Sequence, residues 1–113
     1  MAMNTVIFPV RDLGRGKLLL AALLGTAPSI DQPYYVGFDV EGQHFGLDPY
    51  GHDKGLTGPV PFWDVDDLDA VLAGLLAAGA TTVQEAQDVG GGMRIASVKD
   101  ADGNMIGIRS AAG

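Results

Sequence analysis

The chain has 113 residues, with 14 Asp plus Glu against 7 Lys plus Arg and no cysteine. That length supports one moderate hydrophobic core, and the lack of thiols excludes disulfides, thiolate metal sites and a cysteine nucleophile. A formal charge of −7 argues against a nucleic-acid partner, which needs a basic face.

Hydrophobic residues make up 47% of the sequence, but their runs fall short of the roughly 20 apolar residues that span a bilayer. Met1-Ala2-Met3-Asn4 does not open a basic segment followed by an apolar one, so no secretory leader is read there. The expectation is a cytoplasmic protein with no membrane partner. Gly14-Arg15-Gly16-Lys17 does not complete a phosphate loop, because Arg11 stands where the first glycine is needed.

Thr5 to Val10 reads as a strand, Arg11-Asp12 as a cap, and Leu18 to Leu24 as a helix stopped by Gly25. Tyr34 to Val40 and Gln43 to Asp48 read as strands joined tightly through Glu41-Gly42. His52 to Gly58 is glycine-rich and stands as a weak fourth strand of this half. The order then returns. Val60 to Val65 is a strand, and Asp66 or Asp67 caps a helix carrying Leu68, Val71, Leu72, Leu75 and Leu76 on one face up to Gly79. Thr82 to Val89, Met93 to Lys99 and Asn104 to Arg109 complete the second series, with Gly90-Gly91-Gly92 as a turn.

A shift of 55 residues lays Val10, Asp12, Leu13, Leu20 and Ala22 on identical residues at 65, 67, 68, 75 and 77, and Phe8 on Trp63. A second shift, of 52, lays Asp48-Pro49-Tyr50-Gly51-His52 on Asp100-Ala101-Asp102-Gly103-Asn104. Two agreements with nearly equal offsets point to duplication. The fold class is therefore α+β: one domain over residues 1–113, built from β-α-β-β-β half-modules at 4–57 and 58–110.

Two such halves, with Val10-Arg11-Asp12-Leu13 and Val65-Asp66-Asp67-Leu68-Asp69 ending the first strands and Asp100-Ala101-Asp102-Gly103-Asn104-Met105-Ile106 entering the last, resemble the vicinal oxygen chelate superfamily. That group includes glyoxalase I, bleomycin-resistance proteins and extradiol dioxygenases. The resemblance covers essentially the whole chain. It implies a curved mixed sheet enclosing a cavity, in which enzymes of the family hold a divalent metal, and it implies a homodimer.

In the family the metal ligands lie on the first and last strands of each half. Matching through the strand-to-helix junctions brings the first-strand positions to Thr5 and Val60. Matching through the Asp-Gly-Asn turn brings the last-strand position to Gly107, and the 52-residue shift brings its partner to Gly55. Threonine, valine and two glycines do not form the donor shell of a hard cation. The expectation is a site without metal and a protein that needs no cofactor.

Strand alternation then places Thr5, Ile7, Val60, Phe62 and Asp64 on the cavity side, with Met105, Gly107 and Arg109 from the last strand. Phe8, Val10, Trp63 and Val65 fall on the helix side. His44 joins the candidates because an imidazole titrates near neutral pH. The leading expectation is capture of a small organic molecule, hydrophobic or cationic and aromatic, by a binding protein rather than an enzyme. The alternative is a glyoxalase-like, metal-dependent lyase, isomerase or dioxygenase with displaced ligands such as His44 or Asp48.

Overall fold

A computed structural model describes residues 1–111. In chain order the elements are β1 (Ala2–Pro9), α1 (Leu13–Leu24), β2 (Ile30–Gln32), β3 (Tyr35–Val40), β4 (Gln43–Asp48), a 3-10 turn (His52–Lys54), β5 (Val60–Asp64), α2 (Leu68–Ala77), β6 (Thr81–Asp88), β7 (Met93–Lys99) and β8 (Met105–Ala111). The eight strands form one mixed sheet in the order β2-β3-β4-β1-β5-β8-β7-β6.

Both helices begin on an aspartate. The Asp12 carboxylate accepts from the Arg15 amide at 3.0 Å, and the Asp67 carboxylate from the Ala70 amide at 3.1 Å. Each satisfies a backbone donor that the first turn leaves free. Helix α1 starts five residues earlier than its apolar run suggests, since Gly14 and Gly16 conceal its first turns. Gly16 lies where a side chain would press on Val10 and Leu47, so its small size lets the helix approach β4 closely. Gly25, at φ 69°, closes α1 by donating to the Ala21 carbonyl.

Each helix covers its own half of the sheet. Leu20 of α1 packs on Val36, Phe38 and Leu47, with Phe8 and Val10 beside them. Leu68 of α2 packs on Val65, Ala96 and Ile108, with Trp63 against them. A third cluster of Leu56, Val60, Phe62 and Met105, with Ile7, Val83 and Ile95 against it, belongs to neither helix. Ile7, Val60 and Phe62 come from the central strands β1 and β5, and Leu56, Val83, Ile95 and Met105 close around them from the loop after β4 and from β6, β7 and β8.

The strand registers correct two sequence expectations. His52 to Gly58 is not the fourth strand of the first half; it forms the short turn His52–Lys54, and Leu56 beyond it plugs the third cluster. The missing strand is β2, three exposed residues paired with β3. It carries no buried side chain, hence no hydrophobic signature. The last strand of the first half is consequently β4, which runs parallel to β1 as β8 runs parallel to β5.

Ile7 lies opposite Gly46 and Phe62 opposite Gly107, so the residue equivalent to Gly107 is Gly46 and not Gly55. The 52-residue shift matched the wrong turn. Glu41-Gly42 and Asp100 to Asn104 are the corresponding connections, and they differ in length. Glu41 and Gly42 both have positive φ, 52° and 80°, the geometry that a two-residue hairpin needs.

Strands β1 and β5 join the halves antiparallel, with Thr5 opposite Phe62 and Ile7 opposite Val60. The pairing maps onto itself when the halves are exchanged. This seam is the floor of the site described next.

Candidate functional site

A cavity of about 520 Å³ lies over the seam, between the outer strands of the two halves. That volume suits a small organic molecule. Its floor is Thr5, Ile7 and Phe62; one wall carries Tyr35, His44 and Asp48, the other Gln84, Ile95 and Arg109. Leu56 and Lys54 reach in from the loop after β4, and Tyr34, Tyr50, Val89 and Met93 complete the lining.

On the first wall, Gly37 and Gly46 are directly paired across β3 and β4. Their missing side chains leave a trough. A β-carbon on Gly37 would stand 2.7 Å from the His44 ring, and one on Gly46 would overlap the Tyr35 hydroxyl and lie 2.6 Å from Tyr35 Cζ. The two rings lie nearly parallel in this trough, at 10° with centroids 6.0 Å apart. Glycine is required here for space.

A chain of hydrogen bonds follows from that placement. His44 Nδ1 lies 2.8 Å from Asp39 Oδ1, and the Ser29 hydroxyl donates to Asp39 Oδ2. The Ser29 hydroxyl, and then His44, hold the Asp39 carboxyl below the usual carboxylate range. Asp39 is thus an acceptor, so an imidazole with one hydrogen carries it on Nδ1. His44 Nε2 then accepts from the Tyr35 hydroxyl at 2.6 Å. Burial, reinforced by Asp39 and Asp48 and partly opposed by Arg109, pushes the Tyr35 phenol up to about 12. It is a neutral phenol whose oxygen keeps an acceptor lone pair.

The remaining charges are paired. Asp48 accepts from the Tyr50 amide and from Lys54 Nζ, each at 2.8 Å. Asp64 holds Arg109 through its Nε, an arrangement that leaves both terminal guanidinium nitrogens to donate. Opposite, Ser97 donates to Gln84 Oε1 at 2.8 Å in a fully buried contact, leaving the amide NH2 as the group with which Gln84 can meet a guest.

Of the sequence candidates, Thr5, Ile7, His44, Phe62 and Arg109 line this cavity. Val60 and Met105 are sealed in the apolar cluster beneath it. Asp64 acts through Arg109, and Gly107 lies beneath the Phe62 ring, whose Cδ1 a β-carbon there would meet at 2.5 Å. Tyr35, Lys54, Gln84 and Ile95 lie outside the sequence candidates, and Asp48, named there only as a displaced metal ligand, lines the cavity as well. Alternation along β4 from His44 would have yielded Gly46 and Asp48, had that strand been taken as the last of its half.

The positions to which the resemblance assigns metal ligands are, after the corrected register, Thr5, Gly46, Val60 and Gly107. A divalent ion does not fit them. The two glycines are covered by the rings of Tyr35 and Phe62, Val60 is fully buried and Thr5 alone offers one hydroxyl. Among the described residues no three His, Asp or Glu side chains converge as a metal-binding group.

The Glyoxalase/Bleomycin resistance protein/Dioxygenase superfamily matches residues 3–108, and the chain belongs to it. No curated protein matches the sequence. Among solved structures, the NAD-dependent benzaldehyde dehydrogenase from Legionella pneumophila superposes with a TM-score of 0.74 at 17% identity, over 95% of this chain and 97% of that one. A superfamily member from Vibrio splendidus gives 0.70 at 15% identity, over 94% and 96%. The Mn(II)-bound glyoxalase from Novosphingobium aromaticivorans gives 0.68 at 20% identity, over 98% of this chain but 39% of that one. At these identities the likeness shows the fold.

Proposed function

We propose that this chain binds a small, flat, largely apolar organic molecule without a metal ion. The observation that carries the reading is the pair of glycines, Gly46 and Gly107, each roofed by an aromatic ring at a position where metal-binding relatives need a donor. The rings of Tyr35 and Phe62 convert a coordination site into an aromatic-lined recess. Ile7, Leu56 and Ile95 supply further apolar surface, and such surface favours aromatic guests.

Each charged group in the cavity faces an opposite charge, as in Asp48 with Lys54 and Asp64 with Arg109. The site therefore suits a neutral guest, or one with a single positive charge drawn by the acidic surface and by the tyrosine faces. Calorimetry and thermal shift with neutral and basic aromatic compounds test this, beside titrations with Mn(II), Zn(II) and Ni(II). Stabilisation by aromatic compounds, unchanged by chelator, is the expected result. Stoichiometric metal binding that compound binding requires would overturn it.

A further inference from the structure

We propose that Tyr35, His44 and Asp39 form a metal-free proton relay, and that the cavity interconverts the keto and enol forms of an aromatic 1,3-dicarbonyl compound. The inference rests on the binding reading of the same cavity and adds a chemistry to it. Tyr35 is the group that touches the substrate; His44 and Asp39 act through it.

The geometry has a direction. At its inner end Tyr35 lines the cavity, and with its hydrogen committed to His44 Nε2 at 2.6 Å its oxygen keeps a lone pair for a bound acid. At its outer end the Asp39 side chain is 58% exposed, against 21% for His44. A proton taken from the cavity can therefore be passed to solvent without the guest leaving. A neutral phenol is a poor base alone, but not when its own hydrogen is withdrawn as it accepts another.

The step balances without a co-reactant. As the acidic C–H bond between the two carbonyls breaks, its proton moves to Tyr35 Oη and the Tyr35 hydrogen moves to His44 Nε2. The C–H electron pair becomes the new C=C bond, and a carbonyl π pair withdraws onto oxygen. Imidazolium forms beside the Asp39 carboxylate, as in other aspartate-oriented histidines. The developing enolate oxygen accepts from the terminal guanidinium nitrogens of Arg109, which Asp64 holds by Nε alone. Return of a proton to oxygen gives the enol, and the reverse sequence gives the ketone.

Two probes test the relay. 4-Nitrophenol serves as a non-reacting mimic of the enol, with ionisation read by its visible absorption. 1-Phenyl-1,3-butanedione serves as the substrate, with keto–enol interconversion followed in the ultraviolet. The expected results are nitrophenolate bound at a pH where free 4-nitrophenol is mostly protonated, and interconversion accelerated about 10²-fold or more. In Tyr35→Phe, 4-nitrophenol still binds but stays protonated, and the acceleration is lost. In His44→Asn the phenol is left protonated, and added imidazole partly restores the rate.

Bound 4-nitrophenol with the same ionisation in the native protein and Tyr35→Phe overturns the relay and leaves the binding reading standing. So does a rate that Tyr35→Phe does not change. Failure of both probes and of the wider aromatic panel to bind removes the binding reading, and the relay with it.

Discussion

The Tyr35 hydroxyl occupies the space that a side chain on Gly46 would fill. The pair is mutually dependent: the ring reaches His44 because residue 46 has no β-carbon. Gly46→Ala should push Tyr35 out of the trough and break its bond to His44, at a cost of about 1–3 kcal/mol typical of overpacking. Urea denaturation reads the loss. The double variant Gly46→Ala/Tyr35→Phe, which removes the overlapping oxygen, should recover part of it.

Burial places the Tyr35 phenol well above its ordinary value of 10.0, at about 12. The unfolded chain therefore releases this proton first as pH rises. The stability contribution is fully present below pH 10 and is lost through the interval up to about pH 12. Urea midpoints measured across that interval should fall more steeply for the native protein than for Tyr35→Phe. Equal slopes would mean that this phenol ionises as it does in water.

Ser97 is fully buried and donates to Gln84 Oε1. Ser97→Ala leaves a buried acceptor without its partner and should cost about 1–3 kcal/mol. It should also loosen the Gln84 amide at the cavity wall. Chemical denaturation gives the first quantity, and weaker retention of an aromatic ligand gives the second.

The two helix caps are equivalent and should behave alike. Asp12→Ala and Asp67→Ala each remove an acceptor for a first-turn amide and should each destabilise by about 1 kcal/mol. Because the caps sit on separate helices and share no hydrogen-bond partner, the double variant should lose about the sum of the two. Thermal unfolding of the three variants checks this.

The fold was largely legible in the sequence, because its signals are periodic and local. Asp67 before the five-residue apolar face of α2, and the identical residues 55 positions earlier, identify the repeat unit. What failed was signalled weakly. Ile30–Gln32 is a strand by hydrogen bonding alone, with every side chain exposed, and hydrophobic patterning does not register such an edge. Missing it displaced the count of strands in the first half, and with it the residue matched to Gly107.

The site was legible where it follows from the seam. Thr5, Ile7 and Phe62 come from the alternation of β1 and β5, and Arg109 from that of β8. Tyr35 was not, since its role depends on two glycines being paired across strands, and pairing is a tertiary fact. The same holds for Gln84, whose partner Ser97 lies on a neighbouring strand across a shifted register.

The seam itself has a further consequence. Thr5 facing Phe62 and Ile7 facing Val60 set two copies of one unit head to tail over a shared recess, yet the copies no longer carry matching side chains. One side offers the Tyr35 phenol, an imidazole and a carboxylate; the other the Phe62 ring, an amide and a guanidinium. A duplicated cup with identical halves would hold a guest equally well in two orientations related by its pseudo-twofold axis. Here those orientations are no longer equivalent, so the proposed binding should favour one of them over the other.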